Sequence, residues 1–189
     1  MLHAMQLVRP SASHLSGYLA AAERDWSSES ATVDPEAAAA ECSEIRADPD
    51  RFIAEMNDPT RLGRPVVLPT GESVPRLPGL RRWMWDGDFC GVIGVRWQPG
   101  TTDLPPHCLG HIGYAVVPWK RRLGYASQAL AQVLPMAREQ GLPHVDIVTD
   151  AENVPSQRVV LANGGVLVRE FTTPRSQGGF TALLFQIRL

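Results

Sequence analysis

Three cysteines are too few and too scattered for a disulfide framework. Cys42, Cys90 and Cys108 form no C-x-x-C pair and are odd in number. A structural zinc site lacks its ligand spacing for the same reason, so no metal is expected. A reducing compartment is the natural reading. No apolar run approaches the roughly 20 residues of a membrane-spanning helix. The opening MLHAMQLVRP has no charged segment followed by a long apolar stretch. No secretory leader is expected, and the protein reads as cytoplasmic with no membrane partner. Positive charge is not in excess either. Lys and Arg number 18 against 20 Asp and Glu, a net charge of -2, which argues against a general nucleic-acid binder. A local anion site remains open, because local and net charge are independent.

What is present is an ordinary globular composition, and 189 residues suit one domain with a single core. Met5 to Val8 reads as a first strand. Residues 13–26 and 34–48 read as helices, the second with Asp34 as N-cap and Pro35 at the first helical position. Residues 57–80 are rich in Pro and Gly and read as loop, with at most a short strand at Val66 to Leu68. The stretch RRWMWDGDFCGVIGVRW reads as a hairpin turning at Asp86-Gly87. LGHIGYAVV is a further strand. Leu130, Val133, Leu134 and Ala137 then mark one face of a helix over residues 124–139, with Pro135 inside it. HVDIVT is a strand, and NVPSQRVVLANGG a helix capped by Asn153 and ended by Gly164. VLVREFT and FTALLFQIRL close the chain as two strands. Trp83 and Trp85 share a face of the hairpin and read as core.

Chemistry is expected where a strand feeds a helix, because a helix N-terminus exposes unpaired N–H groups and partial positive charge. The sequence RRLGYA, Arg121 to Ala126, occupies such a joint. Gly124 lets backbone approach a ligand closely. Arg121 and Arg122 add charge suited to phosphate. The plainer alternative is a solvated basic loop with a glycine needed for packing.

In combination these features resemble the GNAT acetyltransferase superfamily. Arg121 to Ala126 fits that family's Q/R-x-x-G-x-G/A pyrophosphate loop. Val116-Val117-Pro118 resembles the strand end that precedes it, and NVPSQRVVLANGG resembles the family's later helix. The resemblance covers residues 81–189, and the N-terminal helices more loosely. It implies an α/β (α+β) fold over 1–189: a mixed, strongly twisted central sheet of about six or seven strands, flanked by about four helices. Residues 1–80 would supply N-terminal helices and an acceptor-side loop, and 81–189 the acetyl-CoA-binding core. The implied ligand is acetyl-CoA, as co-substrate. Its pyrophosphate would lie on Arg121, Arg122, Leu123, Gly124, Tyr125 and Ala126. Its pantetheine arm would pair with Ala115, Val116 and Val117, and the sheet would open near Val116. A backbone N–H at Val116 or Val117 would stabilise the oxyanion. Asn153 and Ser156 would face the pantetheine or the thiolate, alongside plain N-capping by Asn153.

Two departures from the family pattern bear on catalysis. Val160 stands where many members have a proton-donating Tyr, leaving Ser156 or water for that role. Gly110 and Ile112 stand where a base often sits, with Tyr114 on the same side by alternation. His111 is a candidate base that alternation turns to the other face. Glu29 is a candidate at the acceptor mouth, as is Trp26. Cys90 and Cys108 read as small buried residues rather than nucleophiles. The reading is an N-acetyltransferase acting on an amine of unidentified structure. The alternatives are another acyl-CoA or a hydroxyl acceptor, or a CoA-binding sensor or interaction module without turnover. ATP binding lacks the Lys-Ser/Thr that follows a P-loop glycine. Oligomeric state is left open, a homodimer among the options.

Overall fold

A computed structural model describes residues 4–28, 32–60, 65–67, 71–174 and 179–189. The N-terminal part contains β1 (Gln6–Val8), α1 (Ala12–Ala22), β2 (Trp26–Ser27), β3 (Thr32–Val33), α2 (Pro35–Ala47) and α3 (Pro49–Asn57). Next come β4 (Val66–Val67), β5 (Ser73–Val74), β6 (Gly79–Trp85), β7 (Phe89–Arg96) and β8 (Ile112–Val116). A short 3-10 turn, Pro118–Lys120, leads to α4 (Tyr125–Glu139), β9 (His144–Asp150), α5 (Val154–Ala162), β10 (Val166–Thr172) and β11 (Thr181–Arg188). The architecture is mixed α/β. Four strands form one sheet in the order β1-β6-β7-β8, and three form another in the order β10-β11-β9.

The caps read in the sequence form as expected. Asp34 Oδ1 accepts the Ala37 N–H at 3.1 Å, and Pro35 opens α2. Asp48-Pro49 repeats the device, with Asp48 Oδ1 accepting the Arg51 N–H at 2.9 Å. It starts α3, a helix beyond the two expected from the sequence of the N-terminal part. The first helix stops at Ala22, four residues short of expectation. Asp25 takes a left-handed φ of 62°, which turns the chain and sends Trp26 and Ser27 into a strand. The loop of residues 57–80 is less bare than expected, because β4 pairs with β5. Leu68 lies outside the described residues.

Two compact units can be described in the chain. The first comprises Met1–Asp58, Leu80–Gly94 and Tyr114–Ala129. Its core is aromatic: Tyr18, Trp26, Phe52, Trp83 and Phe89 are all buried, with Tyr18 stacked on Trp83 at 4.8 Å between centroids. A polar group sits in this core. The Tyr18 phenol lies 2.6 Å from both Glu41 Oε2 and Ser28 Oγ, and Ser27 Oγ donates to Glu41 Oε1 at 2.7 Å. Burial first, and then the Glu41 carboxylate, push the phenol's pKa well up, so Tyr18 stays neutral and donates.

The second unit comprises Pro59–Gly79, Val95–Gly113 and Leu130–Leu189. Its sheet packs the alternating Val145, Ile147 and Thr149 of β9 inward, with Phe185 and Ile187 of β11. At the foot of β8, the His111 N–H donates to Asp146 O at 2.8 Å. A Cβ on Gly110 would come within 3.0 Å of that same oxygen.

Candidate functional site

The joint after β8 is built from backbone and four polar side chains of the first unit, Asp86, Lys120, Arg121 and Tyr125. Val117 donates its N–H to Cys90 O at 3.0 Å. Strand alternation then turns the Val116 N–H to the opposite edge of β8, on which no ladder forms among the described residues. Val116 O on that edge accepts from Arg121 Nε at 3.2 Å. Of the two proposed oxyanion donors, Val117 is thus engaged and Val116 points away from the sheet. Behind them lies Gly91, at φ 148°, where a Cβ would overlap the carbonyl of Ala115. Only glycine lets β7 and β8 approach this closely.

The loop itself departs from regular backbone at two places. Arg122 has φ 64° and Gly124 φ 76°. Around Gly124 there is space: a Cβ would meet only Gln128 Nε2, at 3.6 Å. The glycine is therefore required by its dihedral and not by packing. Arg121, Arg122, Leu123 and Gly124 are exposed. Their side of the chain leads into the N-terminus of α4, and the N–H groups of Arg122, Leu123, Gly124, Tyr125 and Ala126 bond to no described residue. This is a run of amides without a described partner, with two exposed arginines in it or next to it, a chemistry suited to phosphate.

The third basic residue of the joint has another employment. Lys120 Nζ donates to both carboxylate oxygens of Asp86, at 2.8 and 2.9 Å. Tyr125 OH donates to Asp86 Oδ2 at 2.6 Å. Burial alone would raise the Asp86 pKa, but the bonds from Lys120, Tyr125 and Cys90 outweigh it and hold the carboxyl at about 2. The same carboxylate pushes the Tyr125 phenol up to about 12. Sequence reasoning treated Asp86 as a turn residue. The available signal was weak: an Asp in a hairpin turn and a Lys 34 positions later.

Other candidates are placed as follows. His111 is buried, and its Nδ1 accepts the Asp146 N–H at 3.0 Å, which leaves the proton on Nε2. Burial lowers its pKa, with Asp146 and the backbone of Thr102 pulling the other way. Asn153 Oδ1 accepts the Ser156 N–H at 3.1 Å, so Asn153 caps α5. Val160 is wholly buried. A Cβ on Gly165 would overlap its side chain, so Gly165 serves packing, whereas Gly164 has open space around it and is set by its φ of 81°. Glu29 lies outside the described residues. Trp26 is buried in the aromatic core and does not line a mouth. Burial pushes the Cys90 thiol up to about 12, which makes it inert as a nucleophile. Among the described residues no group of three His, Cys, Asp or Glu could hold a metal ion, and no helix is long and apolar enough to cross a membrane.

The fold is mixed α/β, with an exposed basic joint between β8 and α4. The acetyltransferase (GNAT) domain model matches residues 7–166, and the chain belongs to that family. Solved structures share its fold. One is a microcin C7 self-immunity acetyltransferase, MccE, in complex with acetyl-CoA and AMP: 12% identity, 98% of this chain and 92% of that one, TM-score 0.61. Another is RimL, a ribosomal L7/L12 alpha-N-protein acetyltransferase in complex with coenzyme A: 13% identity, 98% and 94% coverage, TM-score 0.57. A third, from Salmonella typhimurium, modifies the N-terminal serine of ribosomal protein L7/L12: 13% identity, 98% and 95% coverage, TM-score 0.57. No curated protein matches the sequence.

Proposed function

We propose that the protein is an acetyl-CoA-dependent N-acetyltransferase that acts on a primary amine of a small molecule or a protein. The observation that carries this is the run of uncommitted amides from Arg122 to Ala126, set immediately after the outward-turned N–H of Val116. The pyrophosphate of acetyl-CoA rests on that run, with Arg121 and Arg122 beside it. The thioester carbonyl takes its hydrogen bond from Val116, on a strand whose neighbouring donor is already spent. Asn153 and Ser156 contribute to the pantetheine or thiolate side in this reading. A neutral amine attacks the carbonyl carbon, a C–N bond forms, the C–S bond breaks, and the amine's proton ends on the departing thiolate. Positioning and the backbone donor supply most of the rate. The location is cytoplasmic in this proposal.

Acetyl-CoA should bind in calorimetry and raise the thermal midpoint, since it binds only the folded state. Absence of binding at about millimolar acetyl-CoA rejects the reading. An amine panel then separates a transferase from a CoA-binding sensor. The buried Val160, in place of a proton donor, is the observation that favours the sensor.

A further inference from the structure

Asp86 draws together groups from both ends of the RRLGYA loop. Lys120, at the end of the 3-10 turn, binds it twice, and Tyr125, at the first position of α4, binds it once. The carboxylate belongs to a third element, the turn between β6 and β7. There the Asp88 N–H donates to Asp86 Oδ1 at 3.2 Å, and the Asp86 N–H to Asp88 O at 3.2 Å. The Asp86 side chain is only 4% exposed, so this is a nearly dry junction.

The four residues between Lys120 and Tyr125 have little else to hold them. Leu123 is 51% exposed, so burial does not pin the loop. Arg122 sits at φ 64°, a conformation a side-chain-bearing residue adopts at a cost. Such a residue persists only where its surroundings over-determine it. Arg121 Nε on Val116 O is one restraint. The Asp86 junction, closing over both ends, is the stronger, because ionised partners make shorter and stronger hydrogen bonds.

We propose that Asp86 is a positioning residue for the phosphate-binding loop: a clasp that joins Lys120 to Tyr125 and so fixes the arch on which Arg122 to Ala126 present their amides. The proposal rests on the acetyl-CoA reading above. It assigns Lys120 to the clasp and not to the phosphate. At neutral pH the clasp is fully charged, since its carboxyl stays ionised down to about pH 2. Its effect falls on phosphate-bearing ligands alone, because only they use the arch.

The test compares coenzyme A with S-acetylpantetheine, which lacks the phosphates. Asp86→Asn, Tyr125→Phe and Lys120→Met should each weaken coenzyme A by about tenfold or more, as misplaced binding groups do. Affinity for S-acetylpantetheine should stay at the wild-type value, and Lys120→Arg should restore coenzyme A binding in part. Combining Asp86→Asn with Tyr125→Phe should cost less than the sum of the two, as groups in one network do. If Asp86→Asn does not fold, Tyr125→Phe carries the comparison. Unchanged or tighter coenzyme A binding in these variants overturns the clasp. Tighter binding in Asp86→Asn would show Lys120 to be a phosphate ligand held in check. Equal loss for both ligands makes Asp86 merely structural and overturns it too. A wild type that binds no coenzyme A rejects the acetyl-CoA reading, whereas a wild type that binds while the variants bind equally rejects the clasp alone.

Discussion

Val117 gives its N–H to the carbonyl of Cys90, 3.0 Å away, and this bond decides which residue at the end of β8 keeps an outward donor. The neighbour that remains is Val116. The arrangement depends on Gly91, because any side chain there would strike the Ala115 carbonyl.

Gly91→Ala is therefore expected to force β7 and β8 apart at the residue that bears the donor. Overpacking of this kind costs about 1–3 kcal/mol. The thermal midpoint should fall by several degrees, and kcat should fall more than the midpoint explains. A variant with wild-type kcat and midpoint would show that the strand end tolerates the shift.

Gly124→Val tests the dihedral requirement of the loop. There is room for a side chain, but a φ of 76° is an outlier for a branched residue. The fold should survive, since one exposed loop position is affected. Coenzyme A affinity should fall by about tenfold or more, measured by calorimetry with a melting curve as the control. Normal binding would mean that this loop does not carry the phosphates.

His111→Ala should keep most of kcat in the fraction that folds. The ring is buried and committed to the Asp146 N–H, whereas loss of a true general base costs about 100- to 10,000-fold. Its effect belongs to stability, and to pH. Burial depresses its pKa, so the unfolded chain takes up that proton first as pH falls. The stabilisation is complete above the unfolded value of about 6.5 and is lost as pH drops through it toward the lower folded value. Denaturant unfolding at pH 7.5 and pH 5.5 should show a decline in wild type that is smaller in His111→Asn. Equal declines in both would remove His111 from the account.

Tyr18→Phe should destabilise the first unit by about 1–3 kcal/mol, because Glu41 loses a hydrogen-bond donor while remaining buried. The readout is the midpoint of urea unfolding, followed by Trp fluorescence. No change in midpoint would mean that the carboxylate finds another donor.

What the sequence disclosed, it disclosed through local chemistry. Asp34 with Pro35, Asn153 with Gly164, and Gly124 after a basic pair each act within a few residues of themselves. Their structural roles as caps and turns were legible for that reason. The α3 helix was readable by the same rule and was passed over, since Asp48-Pro49 lies inside an unbroken Ala- and Glu-rich run. Asp86 was not readable. Its partners stand 34 and 39 positions away, and nothing local distinguishes it from the other acid of its turn. The end of α1 was misjudged because alanine-rich sequence favours helix through Glu23. Burial of Trp26 and Ser27, a tertiary effect, overrode that preference.

The employment of Lys120 changes how the joint meets its surroundings. Counted along the chain, it is tricationic. With Lys120 neutralised by Asp86, two exposed guanidinium groups remain to answer an incoming dianion. Exposed charges are screened over about 8–10 Å at ordinary ionic strength, whereas the amides and the α4 terminus act at contact. Added salt should thus slow encounter more than it loosens the seated ligand. In the proposed function, small inorganic anions that occupy the amides without the rest of the ligand should compete with coenzyme A.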